Sequence, residues 1–133
     1  MIDLEIRTAR HRDMVDVTGR VQSALRDANV AGTGTVTVWV PHTTAAVTVN
    51  ENADPDVRHD LLAAWEAMLP DVRFRHAEGN SDAHLLASLI GTSVTVPIVD
   101  GGLQLGTWQG IYLVELDGPR SRRVWVVPNV ATR

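Results

Sequence analysis

Residues 92–130 read TSVTVPIVDGGLQLGTWQGIYLVELDGPRSRRVWVVPNV, and this stretch decides the fold. β-Branched and aromatic residues dominate its runs, the composition that fits a pleated, half-buried surface. Thr92 to Ile98 reads as one strand, and Asp100-Gly101-Gly102 turns the chain into Leu103 to Leu105. Trp108 to Leu116 and Arg122 to Val130 form two more strands around the Asp117-Gly118-Pro119 turn. Turns this short join antiparallel neighbours, because a parallel pair needs a crossover of about a dozen residues or more. The C-terminal third therefore predicts antiparallel hairpins.

Upstream, Ile2 to Thr8 alternates as a strand should, and Thr35 to Val40 (TVTVWV) and Ala45 to Val49 are β-rich on either side of Pro41-His42. Asp13 is placed to cap a helix in which Met14, Val17, Val21, Leu25 and Ala28 recur at helical spacing. Asp54-Pro55 opens a second helix, with an acceptor at the cap and proline in the first turn, which runs through Leu61, Leu62, Trp65 and Met68 to Pro70. A third opens with Ser81 as N-cap, carries Leu85, Leu86, Leu89 and Ile90, and closes at Gly91. Val72 to Arg75 reads as a further short strand. The expected fold class is α+β: a single compact domain over residues 1–133, with a largely antiparallel (mixed) β-sheet, sandwich- or barrel-like, and about three helices.

Composition narrows the function. Hydrophobic residues make up 44% and charged residues 21%, which is the balance of a globular chain rather than a disordered one. Twelve basic against sixteen acidic side chains leave a net charge of -4, which argues against a nucleic-acid module. All twelve basic residues are Arg, so a Schiff-base lysine, a P-loop lysine and a lysine general base are excluded. No Cys occurs, which removes thiolate nucleophiles, disulfides and sulfur-ligated zinc. The N-terminal MIDLEIRTAR lacks the apolar run of a secretory signal, and no stretch approaches the roughly 20 apolar residues of a membrane span. The expectation is a soluble, cytoplasmic protein with neither membrane nor nucleic-acid partners.

Several motifs fail. Gly101 and Gly106 have P-loop spacing, but Thr107-Trp108 stand where a lysine and a hydroxyl are required. Gly32-Thr33-Gly34 precedes a strand and lacks the third glycine of a dinucleotide fingerprint. What remains gathers around histidine. His42 follows Pro41 between two β-rich runs, at a strand end where loops carry chemistry. His76-Ala-Glu78-Gly-Asn-Ser-Asp82-Ala-His84 packs five ligand-type side chains into nine residues across a helix start, where backbone N–H groups favour anions. Two histidines eight apart plus a distant third can make a three-histidine metal site with an open position. Glu78 or Asp82 can orient an imidazole or act as a base. The bland alternatives are surface histidines and a carboxylate that only complements the helix dipole. Arg120, Arg122 and Arg123 form either a solvated hairpin end or a phosphate clamp.

Val40-Pro-His-Thr-Thr-Ala-Ala-Val47, Asn50-Glu-Asn-Ala-Asp-Pro-Asp-Val57, Asp82-Ala-His84, Leu89-Ile-Gly91, Val96-Pro-Ile98 and Leu105-Gly-Thr-Trp-Gln-Gly-Ile-Tyr-Leu113 together resemble the YjbQ family over almost the whole chain. The resemblance implies a homotrimer and a divalent metal, zinc, near the histidine loops. His42, His76 and His84 match the family's histidines, and Asp82 matches its acidic position. Thr43, Thr44, Asn50, Gln109 and Arg120 are the candidate substrate contacts. The implied activity is thiamine-phosphate synthesis: hydroxymethylpyrimidine diphosphate joins a thiazole phosphate, and pyrophosphate leaves. The same parts suit a metal-dependent phosphate-ester hydrolase or a non-catalytic, trimeric small-molecule-binding protein. A synthase needs two substrates, a hydrolase needs one, and a binder takes up ligand without turnover.

Overall fold

The computed structural model describes residues 1–131, so the last two residues of the expected 1–133 domain lie outside the described residues. The elements run β1 (Ile2–Arg7), β2 (Asp13–Asp16), α1 (Thr18–Asp27), β3 (Gly34–Trp39), β4 (Ala45–Glu51), α2 (Pro55–Ala67), α3 (Ser81–Ile90), β5 (Ser93–Val99), β6 (Gly102–Leu103), β7 (Gln109–Glu115) and β8 (Ser121–Val130). They form a five-stranded sheet in the order β1-β8-β3-β5-β6 and a three-stranded sheet in the order β2-β7-β4. The strand pairings are antiparallel. The α+β class and the three helices agree with the sequence expectation.

Two of the expected elements differ. Asp13 does not cap a helix: residues 13–16 pair with β7 as a strand, and α1 begins only at Thr18. Met14 and Val17 are both buried, but in different cores, Met14 under α3 and Val17 between the sheets, so their three-residue spacing is not one helical face, and pairing with β7 decides the outcome. Val72 to Arg75 is not a strand either; residues 69–76 have no regular structure, and Val72 and Phe74 are exposed. Alternation without a neighbour to pair with does not make a strand.

The inner faces of the two sheets share one core. Val36 and Val38 of β3, Val124 and Val126 of β8, and Ile98 of β5 meet Val47 of β4 and Ile111 and Leu113 of β7, and α1 closes the side with Val21 and Leu25. The far side of the small sheet makes a second core, in which Tyr112, Val114 and Leu116 pack against Ala83, Leu86 and Ala87 of α3. β7 is thus buried on both faces, which is why it reads as a continuous apolar run. Helix α2 starts as expected, with the Asp54 side chain accepting from Asp56 N–H and Pro55 in its first turn. It has no fully buried residue, and Leu61, Leu62 and Trp65 rest on the second core. Helix α3 ends at Gly91, whose φ of 104° suits glycine alone at low cost. No helix among the described residues is long and apolar enough to cross a membrane.

Candidate functional site

Two polar groups meet at one end of the small sheet. The first surrounds the N-terminus of α3. The residue in the cap position is Asn80 rather than Ser81, and no side chain caps the helix, so its leading N–H groups are left to other acceptors. Asn80 instead donates through Nδ2 to Asp117 Oδ2 at 2.9 Å. His84, in the first turn, and His76, in the preceding loop, stand edge to face with ring centroids 5.4 Å apart. The Asp82 carboxylate accepts from Arg12, which also bridges to Glu66 of α2 and so ties the two helices to the start of β2. Arg12 Nε and Asn80 Oδ1 are buried polar atoms without a partner among the described residues. Glu78 is exposed on the turn that leads into α3.

The second group is built on the end of β7 and the start of β8. Glu115 and Arg122 are buried, at 0% and 2% exposure. Arg122 Nε donates to Glu115 Oε1 at 2.9 Å and Nη2 to Oε2 at 2.5 Å. Thr8 donates its hydroxyl to Glu115 Oε1 at 2.6 Å, and the N–H groups of Leu116 and Asp117 donate to Oε2. Burial alone would raise the Glu115 carboxyl, but the hydrogen bonds from Arg122, Thr8 and Asp117 N–H outweigh it and hold it below the usual carboxylate range. Arg122 also donates to the Thr44 carbonyl at 3.0 Å and to its hydroxyl at 2.9 Å, which fixes the loop that carries His42. Nε2 of His42 accepts from the Arg123 backbone N–H at 2.8 Å. Burial, reinforced by the charge of Arg122, lowers the pKa of His42 below the ordinary imidazole value.

The 117–120 loop joins the two groups. Arg120 donates to Asp117 Oδ2 at 3.0 Å, and its backbone N–H donates to the Thr8 hydroxyl at 2.9 Å. A Cβ on Gly118 would stand 2.3 Å from the Arg10 carbonyl, so only glycine lets this loop lie against residues 8–11. A chain of contacts therefore runs from Asn80 through Asp117, Arg120, Thr8 and Glu115 to Arg122 and Thr44.

Of the sequence-derived site residues, His76 and His84 come together, Asp82 in the same helical turn is turned to Arg12, and Arg120, Thr44 and His42 line the linked second group. Thr43 is exposed beside them. Asn50 and Gln109 do not join them. Asn50 pairs with Gly110 and Glu51 with Gln109, whereas Ala45 pairs with Glu115 at the site end. At about 3.4 Å per residue, that separation along β4 is about 17 Å. Sequence reasoning missed Glu115, Thr8 and Arg12. The available signal was an acid inside the run Ile111 to Leu116, because a buried carboxylate has to meet a cation or several donors.

The donors present fit the expected metal only in part. Two imidazoles sharing an ion at about 2.0–2.1 Å have ring centroids about 5 Å apart, so the spacing of the His76 and His84 rings allows a shared ion. His42 does not fit as a third ligand, because its Nε2 lone pair is engaged by Arg123 N–H. Among the described residues no group of three or more histidine or acidic side chains is arranged to hold a metal ion. A cleft of about 650 Å³ lies elsewhere, lined by Glu5, Arg7, Asp16 and Arg20, and none of the site histidines borders it. The charged groups in it serve local structure, as where Arg20 donates to the Glu5 carbonyl.

Residues 2–129 match the family described as UPF0047 protein YjbQ-like. A UPF0047 protein of Methanocaldococcus jannaschii is 46% identical over 92% of this chain and 88% of its own. The UPF0047 protein YugU of Bacillus subtilis is 42% identical over 92% of this chain and 94% of its own. A crystal structure of a YjbQ/UPF0047 family protein from Clostridium acetobutylicum superposes with a TM-score of 0.89 at 46% identity, covering 95% of this chain and 98% of that one. With that likeness running through both sheets and all three helices, the chain belongs to the YjbQ/UPF0047 family.

Proposed function

We propose that the protein binds a phosphorylated small molecule at the N-terminus of α3 and catalyses the thiamine-phosphate synthase reaction that the sequence resemblance implies. In that reaction the bond between the pyrimidine methylene carbon and the diphosphate oxygen breaks. The thiazole nitrogen takes the carbon, and diphosphate leaves. The observation that carries this reading is the pairing of two imidazoles, His76 and His84, with a helix start that no side chain caps. Uncapped N–H groups and nearby imidazole donors can stabilise charge that develops on leaving phosphate oxygens. Arg120, held by Asp117, would offer its remaining guanidinium N–H groups to a second phosphate. Asp82 acts by holding Arg12 against the site. A divalent ion, zinc by its preference for imidazole, would be held by His76 and His84 and would supply further neutralisation of phosphate charge.

Exposed Glu78, two residues after His76, supports a second reading, phosphate-ester hydrolysis, because a carboxylate open to solvent can take a proton from water. Supplying the two substrates together and singly separates the readings. Diphosphate release that requires both supports the synthase, release from one alone supports the hydrolase, and stoichiometric binding without turnover supports a sequestering protein. On the proposed reading, His84→Ala lowers turnover about 100-fold. An unchanged rate in that variant removes the α3 site from the chemistry.

The working unit is proposed to be a homotrimer. Trp39 pairs across the strands with Trp125 on the outer face of the five-stranded sheet, next to exposed Val127, and Trp108 is exposed at the other end of β7. Aromatic residues of this kind are enriched where subunits meet. Light scattering at micromolar concentration is expected to give three times the chain mass, and a single-chain mass would remove the trimer.

A further inference from the structure

His42 is held twice by β8. In the register between β3 and β8, Trp39 faces Trp125, so the position facing Arg123 belongs to Pro41, where the ladder has ended. The imidazole of the next residue fills that gap, and its Nε2 accepts the Arg123 N–H at 2.8 Å. The loop beneath is fixed by buried Arg122, which grips both the carbonyl and the hydroxyl of Thr44. Ring and backbone are therefore both set before any ligand arrives.

The hydrogen bond also fixes the proton. A backbone amide donates and cannot accept, so Nε2 must present its lone pair. A neutral ring with a lone pair on Nε2 carries its hydrogen on Nδ1. Protonating Nε2 would turn one N–H against another and add positive charge beside Arg122. We propose that His42 is a neutral hydrogen-bond donor, offering Nδ1–H to a phosphate oxygen of the bound ligand and standing outside any metal-ligand set. This rests on the reading above that the site takes a phosphorylated molecule. A neutral imidazole used in this way polarises an oxygen without bringing a mobile charge into the site. A metal at His42 would need a second lone pair that this tautomer lacks.

Nitrogen NMR of the histidine-labelled protein at neutral pH tests the idea, with inorganic diphosphate and zinc added separately. The expected result is a protonated Nδ1 and an unprotonated Nε2 at His42. Diphosphate is expected to shift the His42 Nδ1–H signal, and zinc alone to move the signals of His76 and His84 but not those of His42. Loss of the Nδ1 proton on adding zinc, the opposite tautomer, or no response of His42 to diphosphate overturns the proposal. His42→Phe is expected to weaken diphosphate binding about 10–100-fold, the worth of one hydrogen bond to a charged group. His42→Asn, which retains a donor and an acceptor, is expected to recover part of it. Equal binding by both variants and the wild type also overturns the proposal. Because none of these measurements needs turnover, a protein that makes no thiamine phosphate but gives these signals refutes the synthase reading while leaving the role of His42 intact.

Discussion

Arg122→Met is expected to destabilise the protein by about 3–5 kcal/mol, because it strands a carboxylate in the interior. Glu115 is fully buried, and Arg122 supplies the only cation hydrogen-bonded to it among the described residues. Replacing both partners tests whether the pair stabilises the fold or merely tolerates its own burial. In Glu115→Leu with Arg122→Met, most of the loss should return, since apolar replacements of buried pairs are often close to neutral. A residue of about 1–3 kcal/mol should remain, because the Thr8 hydroxyl and the Leu116 and Asp117 N–H groups lose their acceptor. The pH dependence follows from the same geometry. The folded-state pKa of Glu115 lies below its unfolded value of about 4.3, so the stabilisation is complete above that pH and is lost as pH falls through the folded value. Glu115→Gln should remove that part of the acid sensitivity. Urea unfolding at pH 7 and at steps down to pH 3 measures all three variants. A loss under about 1 kcal/mol in Arg122→Met would mean that water reaches the pair.

The β half of the fold was legible in the sequence because turn chemistry and β-branched runs are local signals. The four strands from residue 93 onward and the turns between them follow these signals closely, and Gly91, Gly101 and the Asp117-Gly118-Pro119 turn fall where the sequence places them. The failures are non-local. Asp13–Asp16 becomes a strand because β7 lies beside it, and Val72–Arg75 stays irregular because nothing does. The site was half legible. His76, Asp82 and His84 are neighbours in sequence, and a helix start keeps them neighbours in space. Arg122 read as part of either a solvated hairpin end or a phosphate clamp, yet strand alternation turns its side chain inward, onto Glu115, while Arg120 and Arg123 remain outside. Motif matching alone grouped Asn50 and Gln109 with His42. Antiparallel register sends them to the opposite end of β4 and β7, a separation that no spacing along the chain reveals.

Leu86→Ala is expected to cost about 2–5 kcal/mol and to damage the site more than its distance from the chemistry suggests. Leu86 is 2% exposed and lies on the face of α3 that packs on Tyr112, Val114 and Leu116. Helix α3 has only Ala83, Leu86 and Ala87 fully buried, so removing the one large side chain among them takes away most of its apolar anchor. The first turn of the same helix carries Asp82 and His84, and its position sets both the imidazole pair and the Asn80–Asp117 contact. The core between the two sheets, closed by α1, is separate from this one and should feel the change less. Amide exchange in α3 is therefore expected to rise well above that in β3 and β8, and diphosphate binding to weaken at temperatures where the sheets remain protected. Equal acceleration in α3 and in both sheets would instead make the two cores one cooperative unit, with the site held by the whole domain rather than by the seat of one helix.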